Sequence, residues 1–597
     1  MTPSWQFGAV PVSPTHSRFR LWAPAVESLS LAIAGQPLQA MKPAGDGWYE
    51  LETEAPPGTR YRYALPDGTR VPDPASRAQD GDVHDDSIVV DPGAYVWRNG
   101  GWRGRPWREA VIYELHVGAF CGFRGVARQL GAIAAMGFTT IELMPIGDFP
   151  GPRNWGYDGV LPYAPDAAYG TPDDLRALVD AAHDLGLAIM LDVVYNHFGP
   201  DGNYLNAYAK DFFRDDIHTP WGAAIDFRQA AVRDYFAENA IYWLTEFRFD
   251  GLRFDAVHAI KDPDWLDQMG RRSREAVGAD RIVYLVLENE DNSATHLESV
   301  FDAQWNDDAH NVLHVLLTGE QFGYYEDYAH EAATRLARVL GEGFAYQGEP
   351  AGHRDNRPRG EPSGHLPSTS FVMFLQNHDP IGNRALGERL ATLVEPKALR
   401  AATALLLLGP QIPMMFMGEE YGATSPFLFF TSHAEPLADA VREGRRSEFA
   451  KFPAFADEAG RHRIPDPNAE STFDDSIALP LSPAAPRAAS IGLPGFSEWV
   501  RALLHIRRNA LVARLDGIRT VHTRVVGTGA VHAHWQFADG TDYVIWVNLD
   551  AEPVRIEPTR HGDAQHVLFE SEPGAALALA EGELRGQSFI ALLGPIA

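Results

Sequence analysis

The chain has 597 residues, more than one hydrophobic core can organise, so about three or four domains are expected. Its composition, 45% hydrophobic and 22% charged with 54 Gly and 43 Pro, is that of an ordered, loop-rich protein and excludes a disordered one. The 51 basic and 80 acidic residues leave a net charge of -29, which repels nucleic acid and anionic membranes and suits a neutral ligand.

Cys121 is the single cysteine, so no disulfide, thiolate zinc site or iron-sulfur cluster is available within the chain, and a reducing cytoplasm is compatible. The N-terminal MTPSWQFGAVPVSPTHSRFRLWAP has no basic head followed by an apolar run, and no stretch reaches about 18 uninterrupted apolar residues. A cytoplasmic protein with no membrane partner is therefore expected.

In chain order, residues 1–105 carry short alternating segments (RFRLWAP, LSLAI, GWYELE, TRYRYAL) between Pro, Gly and Asp turns, which predicts an N-terminal β-sandwich. From Val111 apolar strands alternate with helical stretches, the pattern of an α/β (β/α)8 TIM barrel over residues 106–515. The eight strands begin at Val111, Thr139, Leu187, Gly251, Arg281, Ser299, Phe371 and Ile412. Helices are expected from Pro172, with Thr171 as N-cap and Gly186 as stop, and from Ala230. Long loops at 198–230, 341–370 and 420–497 are placed to shape a binding site. Period-two segments such as AVHAHWQF and DYVIWVNL predict a C-terminal antiparallel β-domain over 516–597.

Polar residues gather where the third, fourth, fifth and seventh strands end, the face at which barrel enzymes react. Asp255 in GLRFDAVH has Arg253 two residues earlier on the same side, so a cation is expected to keep it ionised for attack on an anomeric carbon. Glu288 ends the apolar run IVYLVLE, which is expected to raise its pKa and suit it to proton donation. Glu290 shares that side and is the other candidate donor. Asp379 beside His378 in FLQNHD can grip sugar hydroxyls and favour a positively charged transition state, and Asp192 and His197 of DVVYNH can do similar work. As nucleophile and acid/base of a retaining pair, the Asp255 and Glu288 carboxyls are expected about 5 to 5.5 Å apart.

Several assignments stay open at this point. Tyr157 in NWGYDG and Trp221 in TPWG either stack on sugar faces or belong to the core. WNDDAHN, with Asp308 and His310, is either a sugar-hydroxyl site or a solvated helix start. Asp192 and Asn196 show no calcium-loop spacing, so no metal and no cofactor is expected.

Together DVVYNH, GLRFDAVH, the glutamate ending LVLE, and FLQNHD resemble the four ordered regions of the α-amylase superfamily, family 13 of the glycoside hydrolases. The resemblance implies a retaining mechanism on α-linked glucose, with Asp255 as nucleophile, Glu288 as acid/base and Asp379 as transition-state stabiliser. It also implies that Tyr157, Asp192, His197, Arg253 and His378 line the central subsite, and that the stretches 253–258 and 378–383, ending in His258 and Asn383, touch glucan, with 313–317 close by. The β-sandwich ahead of the barrel is typical of the isoamylase, branching-enzyme and trehalohydrolase branches. YELHVGAF, GNYLNAYAKDFF, QWNDDAHN, MGEEYGATSPFLFFTSH and GRRSEFAKF resemble the maltooligosyltrehalose trehalohydrolases. That branch implies hydrolysis of the α-1,4 bond next to the terminal trehalose unit of a maltooligosyltrehalose made by a partner synthase. The alternatives are a glycogen branching enzyme, which shares the three carboxylates, and a non-catalytic glucan-binding protein. ENED after the fifth strand and the small Ala309 depart from the pattern, the former leaving the part of Glu290 open.

Overall fold

The computed structural model describes residues 5–220, 222–477, 492–558 and 566–594. Two sheets form the N-terminal sandwich. One orders Gly8–Pro11, His16–Trp22, Trp48–Glu54 and Lys42–Gly45, the other Gln39–Ala40, Ser30–Ile33, Arg60–Ala64 and Arg70–Val71, with Ser87–Ile88 paired to Arg60–Ala64. Alternation drives the packing: Phe19 and Leu21 turn inward onto Leu31, Tyr61 and Tyr63. Arg77 fastens this domain to the barrel by lying over the rings of Tyr163 (4.4 Å) and Tyr242 (4.3 Å).

The central domain is a closed parallel barrel whose strands are β1 (Ile112–Leu115), β2 (Thr140–Leu143), β3 (Ala188–Val193), β4 (Gly251–Phe254), β5 (Tyr284–Leu287), β6 (Ala303–Trp305), β7 (Phe371–Phe374) and β8 (Ile412–Phe416). All eight fall where the sequence places them. Within each strand one set of side chains fills the barrel, among them Ile112, Met190, Tyr284, Trp305, Phe374 and Met414, while the alternate set packs outward under the helices. β6 is shorter than SVFDAQW suggests, because the Val300 and Phe301 N–H groups bond back to His296 O and hold Ser299 to Asp302 in a turn.

The outer layer includes α1 (Phe123–Met136), α2 (Pro172–Asp184), α3 (Ala230–Thr245), α4 (Pro263–Val277), α5 (Asp307–Thr318) and α6 (Ala332–Glu342). The predicted start of α2 is a full capping box: Thr171 Oγ1 accepts from Asp174 N, and Asp174 accepts from Thr171 N. After β7 come the short α7 (His378–Gly382) and α8 (Pro396–Leu408); α9 (Leu437–Phe449) occupies the long insertion after β8, and α10 (Phe496–Ile506) closes the wall. Nor is 341–370 a plain loop: Glu349–Ala351 pairs with Arg357–Arg359 as a hairpin that leans over the barrel mouth. The C-terminal sheet orders Arg519–Gly527, Ala530–Gln536, Asp542–Asn548, Ser588–Leu593 and His566–Glu570. No helix among the described residues is long and apolar enough to cross a membrane.

Candidate active site

The period of two that fills the barrel also builds its mouth. In β3 the inward positions run Ala188, Met190, Asp192; in β4 Gly251, Arg253, Asp255; in β5 Tyr284, Val286, Glu288. Strand pairing puts Asp192 beside Arg253 and Arg253 beside Val286, and the ladder runs on past the strands through Asp255 N to Val193 O and Glu288 N to Phe254 O, both 3.0 Å. Each strand thus ends by delivering one ionisable side chain to the same point.

Arg253 is at the centre of this convergence. Its Nη1 lies 2.7 Å from Asp192 Oδ2 and 2.9 Å from Asp255 Oδ1, its Nη2 lies 2.9 Å from Glu288 Oε2, and Trp305 of β6 supports the guanidinium from below at 4.0 Å. Ala256 follows Asp255 in a left-handed conformation, φ 39°, that a non-glycine residue adopts only under constraint. That turn aims its N–H at Glu288 Oε2, 2.7 Å away.

The facing wall comes from the β2 loop and from α7. Tyr157 donates its hydroxyl to Asp192 Oδ2 (2.6 Å) and stacks on His378 at 5.1 Å, and its carbonyl bonds His197 Nε2 (2.9 Å). Asp379 is the most open of the three carboxylates, with 43% of its side chain exposed; His378 Nε2 lies 3.6 Å from it, and Asn383 Nδ2 donates to it at 3.2 Å.

Burial and the charge of Glu288 push the Asp255 carboxyl well up. Burial acts the same way on Glu288, but Arg253, His258 and the Ala256 N–H outweigh it and leave Glu288 below the usual carboxylate range. Both directions reverse the sequence expectation. The physical reason is that Arg253 is not private to Asp255: it reaches both carboxylates, while the Ala256 N–H serves Glu288 alone. The charge of each bears on the other, so the two titrate as a pair. Burial also raises Asp379, opposed by His378, and lowers His197 to about 4, so His197 is neutral at pH 7.

Beyond Glu288 and Asp379 a cavity of about 350 Å³ opens away from Tyr157 and His197. Glu290 stands in its wall, held down to about 2 by Arg354, and His353 Nε2 lies 2.9 Å from it. His258 Nδ1 accepts from Glu290 N at 3.3 Å. Asn383 and His310 also line the cavity, although both His310 ring nitrogens are engaged, with Leu375 O and Tyr325 OH. Asp308 does not reach it. Its carboxylate is fully buried against Arg359 (3.0 Å), the Tyr328 hydroxyl, Asn292 and the Ala345 and Tyr346 N–H groups, so the sugar-hydroxyl reading of Asp308 is corrected to a structural one. Its neighbour Asp307 lines the cavity instead, its carboxyl pushed up to about 8 by burial and by Glu288. Continuing the inward alternation of β6 past Trp305 would have found it. Trp221 lies outside the described residues. Val315 to Leu317 line a different cleft, against the C-terminal sheet.

Comparison with known proteins adds the following. Residues 114–221 match the alpha amylase catalytic domain, and residues 519–590 match a domain of unknown function, DUF3459. The malto-oligosyltrehalose trehalohydrolase of Deinococcus radiodurans is 42% identical over 489 residues, 79% of each chain. That of Brevibacterium helvolum is 34% identical over 605 residues, covering 94% of this chain and 97% of its own. A crystal structure of a candidate alpha amylase from Salmonella typhimurium superposes with a TM-score of 0.90 at 41% identity, covering 99% of this chain and 100% of that one. A branching enzyme from Jannaschia is 31% identical over only 45% of this chain and 43% of its own.

Proposed function

Because the chain belongs to the malto-oligosyltrehalose trehalohydrolase family, it is a glycoside hydrolase acting on trehalose-linked maltooligosaccharides, and we propose that Asp255 is its nucleophile, Glu288 its acid/base and Asp379 its transition-state stabiliser. The observation that carries the assignment is the placing of Asp255 and Glu288 on the two nitrogens of one guanidinium at the barrel mouth.

In the first step an Asp255 oxygen bonds to the anomeric carbon of the glucose preceding the trehalose unit. The bond from that carbon to the bridging oxygen breaks, and the oxygen takes the Glu288 proton as trehalose leaves. In the second, Glu288 removes a proton from water, the water oxygen bonds to the same carbon, and the Asp255 ester bond breaks. The bridging oxygen can only accept a hydrogen bond, so bound substrate favours a proton on Glu288 over one on Asp255 and frees the nucleophile. Tyr157, Asp192, His197, Arg253 and His378 surround the glucose under attack. Glu290, Asp307, His310 and Asn383 line the space for the leaving trehalose, with His258 behind Glu290. Trp221 is the remaining stacking candidate. No metal or cofactor takes part in this scheme.

The protein is further read as cytoplasmic, consuming maltooligosyltrehalose made by a separate synthase, with no nucleic-acid or membrane partner. The net charge of -29 and the lone Cys121 support this. Incubation with maltotriosyltrehalose and, separately, with maltopentaose and amylose tests the whole reading, with Asp255→Asn as control. Rapid trehalose release from the first substrate alone is expected; new branch points in amylose, or equal cleavage of all three, would overturn it.

A further inference from the structure

One buried carboxylate at the barrel mouth has no part in the scheme above. Glu114 is an inward residue of β1, beside Glu142 of β2 in the strand register, and both are buried. Its Oε1 is 2.5 Å from His378 Nδ1, and each of the two side chains is only 1% exposed. Its Oε2 finds no partner among the described residues, so the interaction of this carboxylate is directed at a single ring. That ring is itself clamped: Tyr157 stacks on it, Trp155 meets it edge-on at 5.5 Å, and Trp305 closes the third side at 6.0 Å.

We propose that Glu114 is a positioning residue, which fixes His378 with Nδ1 inward and both ring nitrogens as donors, so that Nε2–H points at the glucose held between Asp255 and Asp379. The proposal rests on the glycosidase reading of the site. With Nδ1 committed to Glu114, the proton on Nε2 is the only one the ring can offer the cleft, and it is offered beside Asp379.

The field around the ring agrees. Burial works against a charged imidazole here, but Asp379 and Glu114 outweigh it and hold His378 up at about 9, with Arg253 of β4 opposing. Glu288 of β5 and Asp192 of β3 also act on it, as does His116 at the end of β1. Glu142, beside Glu114, is pushed far up by burial and by the charge of Glu114. Asp379 is engaged by substrate during the reaction, whereas Glu114 is sealed from it. The imidazolium in turn opposes the burial that would protonate Asp379. Glu114 thus holds His378 from the barrel interior, with the other ring nitrogen beside Asp379.

The experiment is the pH profile of kcat/KM on maltotriosyltrehalose for the wild type, Glu114→Gln, Glu114→Asp, His378→Asn and the Glu114→Gln/His378→Asn double variant. Glu114→Gln keeps a hydrogen-bonding group but loses the charge, so the alkaline midpoint should fall by about one unit or more. Glu114→Asp, shorter but charged, should fall between. In the His378→Asn background the glutamine should have no further effect on the profile. An unmoved alkaline midpoint in Glu114→Gln, or an equal shift with and without His378, would overturn the proposal. If Glu114→Gln does not fold, titration of the His378 ring nitrogens by 15N resonance in Glu114→Asp against wild type decides: a lowered pKa supports, an unchanged one refutes. Should the wild type release no trehalose, the functional reading falls by itself, and the same profiles on whichever glucan it does cleave still judge Glu114.

Discussion

Arg253 Nη2 lies 2.9 Å from Glu288 Oε2 while Nη1 of the same guanidinium lies 2.9 Å from Asp255 Oδ1, so one planar cation bridges the proposed nucleophile and the proposed acid/base. A lysine carries the charge but not the fork. Arg253→Lys should therefore lower kcat by about 100-fold or more with an intact fold, since loss of alignment at the reacting centre is costly. Activity within a few-fold of wild type would show that the fork does not matter.

The acid/base assignment separates from the nucleophile by leaving group. Glu288→Gln should lose about 10³-fold or more on maltotriosyltrehalose yet keep much of its activity on a maltosyl fluoride, whose fluoride needs no proton to depart. Asp255→Asn should be inactive on both. Equal loss on both substrates in Glu288→Gln would take the donor role from Glu288.

Glu290 is the donor that sequence left open. Held at about 2 by Arg354 after burial is offset, it stays ionised across the working range and is no reservoir of protons. Its charge is present at every pH above its lowered pKa and would be lost only as pH falls through about 2. Glu290→Gln should accordingly leave both limbs of the kcat/KM profile in place. Loss of the alkaline limb together with a fall of about 10³-fold in kcat/KM would make it the donor.

Adjacent aspartates on α5 should fail in different ways. Asp308→Asn breaks a buried ion pair with Arg359 and should cost about 3 kcal/mol, read as a clear drop in melting temperature. Asp307→Asn should leave melting unchanged and raise KM for maltotriosyltrehalose by about 10-fold, because its carboxyl faces the cavity. The reverse pattern would return Asp308 to the site.

The barrel was legible because its strands are short apolar runs and its α2 capping box is local; alternation alone delivered Asp192, Arg253, Asp255 and Glu288 to one point. Less was legible wherever a side chain's fate depends on distant partners. Alternation past Trp305 points to Asp307, but the part of Asp308 in WNDDAHN shows only when the Arg357–Arg359 strand brings Arg359 down on it. The proton balance between Asp255 and Glu288 was misjudged for the same reason, since it depends on a backbone N–H turned by the strained Ala256.

The most direct test of the account is a proton NMR time course of maltotriosyltrehalose hydrolysis. It predicts trehalose together with maltotriose that appears first as the α-anomer and only later mutarotates, as double displacement through Asp255 requires. Maltotriose appearing first as the β-anomer, or no trehalose at all, would contradict it.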